Sequence, residues 1–301
     1  MCQMSNKIKR KFYPGEKWLY VKIYASSIQC ETLLTSIIPK ITTSLDRKSI
    51  IQKWFFIRYV DPDNHLRIRF LLNNTEDITI IMTLLLKELK KELSCGNVHK
   101  IQYDTYIREI ERYNEDNIED TESLFYMDSI TTLKLLRIIK EFKLKDEDRV
   151  AIACKSIDQF LTDFGYGIEK RLSLITEMSD CLCWEFGFSD KDKIQLNTLF
   201  RSLSKRIEPF IYSDGAMLTS FHLSIFKIIS SRSKRQMNVI FSIKNNLKHK
   251  EQEEHKLIPS YVHMMMIRLF CSQNRKHELL VYYFLKKEYT SIIARQHQKQ
   301  K

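Results

Sequence analysis

The sequence predicts an α+β protein, with an N-terminal ferredoxin-like antiparallel sheet followed by a mostly helical C-terminal half. Three observations carry this expectation. In the N-terminal third, stretches with apolar residues at every second position alternate with stretches of helical spacing, in the order β-α-β-β-α-β. Within that third, Asp61-Pro62-Asp63-Asn64 separates two strand-like runs with residues that favour tight turns. From about Glu119 onward, each apolar run has the i, i+3, i+4 spacing of a helix.

Taken in order, WLYVKIYAS (18–26) alternates as a half-buried strand does, and QCETLLTSIIPKITTSL (29–45) reads as one helix. KWFFIRYV and HLRIRFLL form the predicted hairpin around the Asp-Pro-Asp-Asn turn. DITIIMTLLLKELKKEL (77–93) reads as a second helix stopped by Cys95-Gly96-Asn97, and VHKIQYDTYI (98–107) as a final strand. Helical stretches then follow at 120–142, 147–164, 176–188, 189–207, 221–234 and 258–289, with KHKEQEEHK (248–256) as a charged loop. These patterns divide the chain into an α+β region, 1–113, and a helical region, 114–301. Only six glycines and five prolines occur in 301 residues, so no long flexible linker is expected and the two regions should pack as one compact unit.

Composition narrows the function. The seven cysteines are scattered, without CxxC pairs, and read as reduced thiols in a cytoplasmic protein. The basic N-terminus has no apolar segment behind it, and no run is long and apolar enough to span a bilayer. The formal net charge of +12 favours acidic partners, but it is spread along the chain, densest at KIKRK (7–11), around Ser230 to Arg235 and at KHKEQEEHK. Interleaved aromatics of the kind that bind single-stranded nucleic acid are not evident. There is no Gly-rich phosphate loop, nucleophile elbow or zinc pattern, so a site without cofactor or metal is expected.

Three constellations could carry chemistry. In HLRIRF a period of two places Leu66, Ile68 and Phe70 on one face and Arg67 and Arg69 on the other. Two adjacent guanidinium forks suit a carboxylate or phosphate, and they equally suit the wet face of a one-sided sheet. In YIREIERYNED (106–116), Glu109 and Arg112 pair if the segment is helical, whereas Arg108 and Arg112 share a face if it is a strand. In PSYVHMMMIRLF (259–270), His263 sits on a helix beside Met264 and Met266, either as a proton carrier or as a core histidine.

In order along the chain, W-x-x-x-K-I-Y from Trp18, F-x-R-Y-x-D-P-x-x-H-L-R-x-R-F from Phe56, R-E-x-E-R-Y from Arg108 and S-Y-V-H-M from Ser260 closely resemble the C-terminal domain of lantibiotic dehydratases, also called the thiopeptide-type bacteriocin biosynthesis domain. The resemblance covers nearly the whole chain. It implies a lyase that removes glutamate from glutamylated Ser or Thr of a ribosomally made precursor peptide, leaving dehydroalanine or dehydrobutyrine. It maps the family's functional arginines onto Arg67, Arg69 and Arg112, its glutamate onto Glu109 and its histidine onto His263. It also implies a separate tRNA-dependent glutamylating protein as partner, since the long glutamylating domain has no counterpart in these residues. No cofactor and no direct nucleic-acid contact are implied, and a homodimer is compatible with it.

Two departures stand out. The family places Gly-Gly after E-R-Y where this chain has Asn114-Glu115-Asp116, which requires a different turn or an Asn with left-handed backbone. The family also has Asn where Ile267 stands, one helical turn past His263. Relatives of this domain that stand alone include the pyridine synthases of thiopeptide biosynthesis, which join two dehydroalanines and expel the leader peptide. A pyridine synthase and a non-catalytic peptide-binding subunit are therefore the alternatives to the lyase.

Overall fold

The computed structural model describes residues 8–211 and 218–299; Cys2 and Lys7, from the thiol and basic-segment readings, lie outside them. The chain divides into two units. One comprises residues up to Leu133 with Phe241–Ser260, and the other Lys134–Ile240 with Tyr261 onward. The first unit carries the sheet, built as the alternation of apolar residues dictates.

Its strands are β1 (Lys11–Phe12), β2 (Trp18–Ala25), β3 (Ile51–Val60), β4 (Asn64–Leu72), β5 (Val98–Asp104) and β6 (Tyr106–Ile107). The main sheet has the order β3-β4-β2-β5, all antiparallel, and β1 pairs with β6 separately. With the helices inserted after β2 and β4, this is the ferredoxin-like arrangement. Helices α1 (Ser27–Ser36), α2 (Ile38–Arg47) and α3 (Ile78–Ser94) pack on one face. That face presents Val21, Ile23, Phe56, Leu66, Ile68 and Phe70, all fully buried against Leu33, Leu34, Ile38, Ile41, Ile81, Leu85 and Leu89. Removing that much apolar surface from water is the main force holding the unit together.

Several local readings need correction. The single helix expected over 29–45 is two, because Pro39 has no N–H to continue the first ladder and starts α2 instead. The strand expected over 98–107 breaks at Thr105, whose N–H is taken by the Asp104 side chain at 2.7 Å. The charged loop at 248–256 is helical from Glu251, where Glu251, Glu253 and Glu254 supply first-turn acids that favour a helix N-terminus. The stretch 258–289 holds parts of two helices separated around Ser272.

The remaining helices are α4 (Ile110–Tyr113), α5 (Ile118–Glu141), α6 (Asp146–Asp163), α7 (Ile168–Glu185), α8 (Asp190–Ile211), α9 (Ser220–Asn246), α10 (Glu251–Leu269) and α11 (Asn274–Lys299). In the first unit α5 borders the outer strand β3, where Ser123 accepts from Lys53 Nζ at 2.9 Å and Ser129 from the Phe56 amide at 3.2 Å. In the second unit α11 runs along α6 and α7. Asp158 of α6 ties them together, accepting from Arg171 of α7 at 2.5 Å and from the Tyr289 hydroxyl of α11 at 3.0 Å. Among the described residues the cysteines are free thiols, and no helix is long and apolar enough to cross a membrane.

Candidate functional site

The sheet face opposite the helices carries a row of cations. Arg67 and Arg69 of β4 lie side by side on it, while Leu66, Ile68 and Phe70 point the other way. The register sets Lys22 of β2 opposite Arg67 and Tyr20 opposite Arg69, with Ile57 and Phe55 of β3 flanking them on the other side. Aromatic rings hold both guanidinium groups. The Arg67 guanidinium lies 3.4 Å from the Tyr59 ring centre, and that of Arg69 lies 4.5, 4.9 and 5.2 Å from Tyr20, Tyr106 and Phe55.

A ring face attracts a cation without neutralising it. Among the described residues no carboxylate pairs with Arg67 or Arg69, and the Arg69 Nε is a buried donor without a hydrogen-bond partner. Lys22 differs, since it pairs with Asp104 at 2.5 Å. Burial works against the Asp104 carboxylate, but the Lys22 ammonium and the Thr105 amide overcome it and hold the carboxyl below its ordinary pKa.

One hydrogen bond orients Arg67. Its Nε donates to His65 Nε2 at 3.0 Å, and His65 Nδ1 faces the Asp63 carbonyl at 2.8 Å. These partners assign the Nδ1–H tautomer, with the Nε2 lone pair free to accept. His65 is 1% exposed and packs against the Tyr24 ring at 4.6 Å. Burial lowers its pKa, and the positive charges of Arg67 and Lys22 add to that against the Asp63 hydrogen bond and the Asp61 charge.

A stability prediction follows from the sign. Below about pH 6.5 the unfolded chain binds a proton that the folded His65 resists, so this residue makes stability fall as pH drops. In His65→Gln, whose amide accepts from Arg67 but does not titrate, the thermal midpoint should fall less steeply with acidification from about pH 6.5 to 5. Equal slopes in the two proteins would refute the assignment.

The R-E-x-E-R-Y segment splits into two roles. After β6 the chain turns into α4, which brings Arg112 Nη1 within 3.3 Å of Glu109 Oε2, with both side chains about half exposed. The helical alternative for this pair is the one realised. Arg108 is instead buried, and its fork grips Glu122 of α5 through Nε to Oε1 and Nη2 to Oε2, both at 2.8 Å. Glu122 Oε1 also accepts from the Tyr106 hydroxyl at 2.9 Å. Burial, and then the Glu122 charge, raises the Tyr106 pKa far above the usual phenol value, so it stays a donor. The buried pair thereby fixes one wall of the box around Arg69.

Asn114 follows with φ 64°, the positive value that the family's glycine would take easily, and its side chain donates to Glu253 at 2.7 Å. With ψ 151° the residue lies outside the left-handed helical region that asparagine tolerates and in one populated almost entirely by glycine, so the backbone here is strained.

His263 belongs to the second unit. It is not enclosed by apolar groups alone: its Nδ1 lies 2.5 Å from Glu278 Oε1, on the following helix. Glu278 is fully buried, and its other oxygen accepts from Arg275 Nη1 at 2.6 Å. The Arg275 Nε reaches Glu185 of α7 at 3.2 Å. Ile267 is half-buried on α10, and the polar partner that it cannot offer is supplied from α11.

The family model for the C-terminal region of lantibiotic biosynthesis dehydratases matches residues 18–289. The chain belongs to this family. Among relatives of this dehydratase C-terminal domain, subtilin biosynthesis protein SpaB of Bacillus subtilis is 27% identical over 267 residues, covering 88% of this chain and 24% of SpaB. The chain thus spans about a quarter of that relative's length. The tRNA-dependent lantibiotic dehydratase MibB of Microbispora sp. 107891 superposes with a TM-score of 0.71 at 18% identity, over 95% of this chain and 29% of that one. The pyridine synthase TbtD from thiomuracin biosynthesis gives 0.58 at 12% identity, over 92% and 99%. At such identities the likeness is one of fold alone.

Of the five residues expected from the motifs, Arg67 and Arg69 share one face and Glu109 pairs with Arg112, all in the first unit; His263 stands in the second. The motifs contain Lys22, Tyr59 and Arg108 but gave them no role, and they do not point to Tyr20 and Tyr106 around the arginines, to Glu122 as the buried partner of Arg108, or to Glu278 with Arg275. The alternation in WLYVKIYAS does place Tyr20, Lys22 and Tyr24 on one face, which is the one available signal. Among the described residues no cluster of His, Cys, Asp or Glu is placed to hold a metal ion.

Proposed function

We propose that this chain performs the elimination step of lantibiotic-type dehydration, releasing glutamate from glutamylated Ser or Thr of a precursor peptide to leave dehydroalanine or dehydrobutyrine. The observation supporting it most directly is the pair of guanidinium groups on the sheet face opposite the helices, held by aromatic rings and, among the described residues, paired with no carboxylate. The leaving group is an anion, and that surface keeps its charge for one. Proton abstraction at Cα, formation of the Cα=Cβ bond and departure of glutamate from Cβ balance without oxidant or reductant, so the step needs no redox cofactor.

Arg67, Arg69 and Arg112 hold the glutamyl group and the charge that develops as it leaves, Glu109 orients Arg112, and His263 carries the proton. Lys22, opposite Arg67, adds positive potential while Asp104 limits it. The ester is the product of a preceding tRNA-dependent acyl transfer, which we assign to a separate glutamylating activity.

The fold likeness to TbtD supports a second reading, a pyridine synthase acting on a fully dehydrated peptide. Mass spectrometry separates the two. Incubated with a glutamylated precursor, the protein should convert ester-bearing residues to dehydroamino acids with release of free glutamate. No change there, with leader loss and macrocycle formation from the dehydrated precursor, would replace the lyase by the synthase.

A further inference from the structure

We infer that Glu278 is a positioning residue that fixes the tautomer of His263 and balances the charge His263 gains when it takes a proton. This rests on the reading of His263 as the proton carrier. Glu278 Oε1 lies 2.5 Å from His263 Nδ1, and the carboxylate has no solvent exposure. A carboxylate so placed stays ionised only if paired, and Arg275 Nη1 at 2.6 Å on its other oxygen provides the pair. Arg275 is anchored in turn by Glu185.

The groups facing this carboxylate are His263 from α10, with Arg275 and Tyr282 from α11, and Glu185 of α7 stands behind Arg275. Tyr282 is not a competing acid, because burial and then the Glu278 charge raise its pKa far above the ordinary value. An ionised Glu278 can only accept, so Nδ1 carries the hydrogen and Nε2 presents its lone pair. The imidazole side chain is 29% exposed, so the ring is not sealed from solvent.

The test reads the tautomer first. In ¹⁵N-histidine-labelled protein, the resonances lost in His263→Gln identify this ring, and they should report hydrogen on Nδ1. Glu278→Gln, which keeps the shape but can donate as well as accept, should shift the ring toward the Nε2–H form. On glutamylated peptide its kcat should fall by about 10² to 10⁴, with KM changed less than about threefold.

Arg275→Gln perturbs the same carboxylate from its half-exposed side and should move both readouts the same way, even if Glu278→Gln folds poorly. An unchanged tautomer in both variants, or unchanged kcat with only a lower melting temperature, would overturn the assignment. The tautomer is measured without substrate. A wild-type chain inactive on glutamylated peptide, with the tautomer still shifted in Glu278→Gln, would therefore count against the lyase reading while supporting Glu278 as the group that fixes the His263 tautomer.

Discussion

Glutamylated precursor peptide given to an Arg69→Ala variant should remain at the ester stage, with kcat/KM lowered by about 10² to 10³, the size of effect seen when one preorganised anion donor is removed. The argument lies in how this side chain is held. Its guanidinium is ringed by Tyr20, Tyr106 and Phe55 and has a buried Nε without a partner. No reorganisation is needed before it meets an oxyanion, and no internal carboxylate must be displaced first. Arg69→Lys should recover little, because an ammonium lacks the plane that packs between rings and the fork that grips both carboxylate oxygens.

Arg67→Ala should behave similarly. Its guanidinium stacks on Tyr59 and is steered by His65, so the Ala variant loses an oriented donor and leaves His65 Nε2 without its hydrogen bond. The folded content of both variants should stay native by circular dichroism, since neither arginine has a salt-bridge partner to strand. Full conversion to dehydroamino acid by Arg69→Ala and by Arg67→Ala would remove the anion clamp from the mechanism.

The second large effect falls on stability. Glu122→Ala should lower the unfolding free energy by about 3 to 5 kcal/mol, because it leaves a charged Arg108 buried without its bidentate partner. Arg108 is 4% exposed and Glu122 is 1% exposed, so solvent replaces little of what is lost. For a protein of ordinary stability, about 5 to 15 kcal/mol in total, this is a large share. The combined Arg108→Met, Glu122→Leu variant should be far less destabilised than Glu122→Ala, since it removes both charges and keeps apolar volume. Urea denaturation gives the comparison, and a loss below about 1 kcal/mol in Glu122→Ala would place that pair in the weak, surface class. The same substitution frees the Tyr106 hydroxyl, so reduced elimination should accompany reduced stability.

The sequence revealed the fold through local signals. Alternation in β2, β3 and β4 and the helical spacing beyond Glu119 are properties of neighbouring residues, and they survived folding. What it hid depends on pairing across the chain. The motif R-E-x-E-R-Y contains two arginines that read alike; only the end of β6 at Ile107 and the packing of α5 send Arg108 inward to Glu122 and leave Arg112 outside. Glu278 was illegible for the same reason. In NRKHELL it looks like any acid on a wet helix face, and its burial is set by the packing of α11 along α6 and α7 and by the partner His263 offers from α10. Pro39 was legible in principle, being a helix starter in the middle of what looked like a helix.

The antiparallel register between β2 and β4 has a consequence for which changes this chain can accept. Because Arg67 faces Lys22 and Arg69 faces Tyr20, a slip of one residue would turn both arginines into the helix-covered layer and throw Ile68 and Phe70 outward. A single-residue insertion near the start of β4 is therefore doubly disruptive, wrecking the hydrophobic layer and the anion-binding row in one step. Length variation should be confined to Asp61–Asp63, where the hairpin turns and no ladder pairing is at stake.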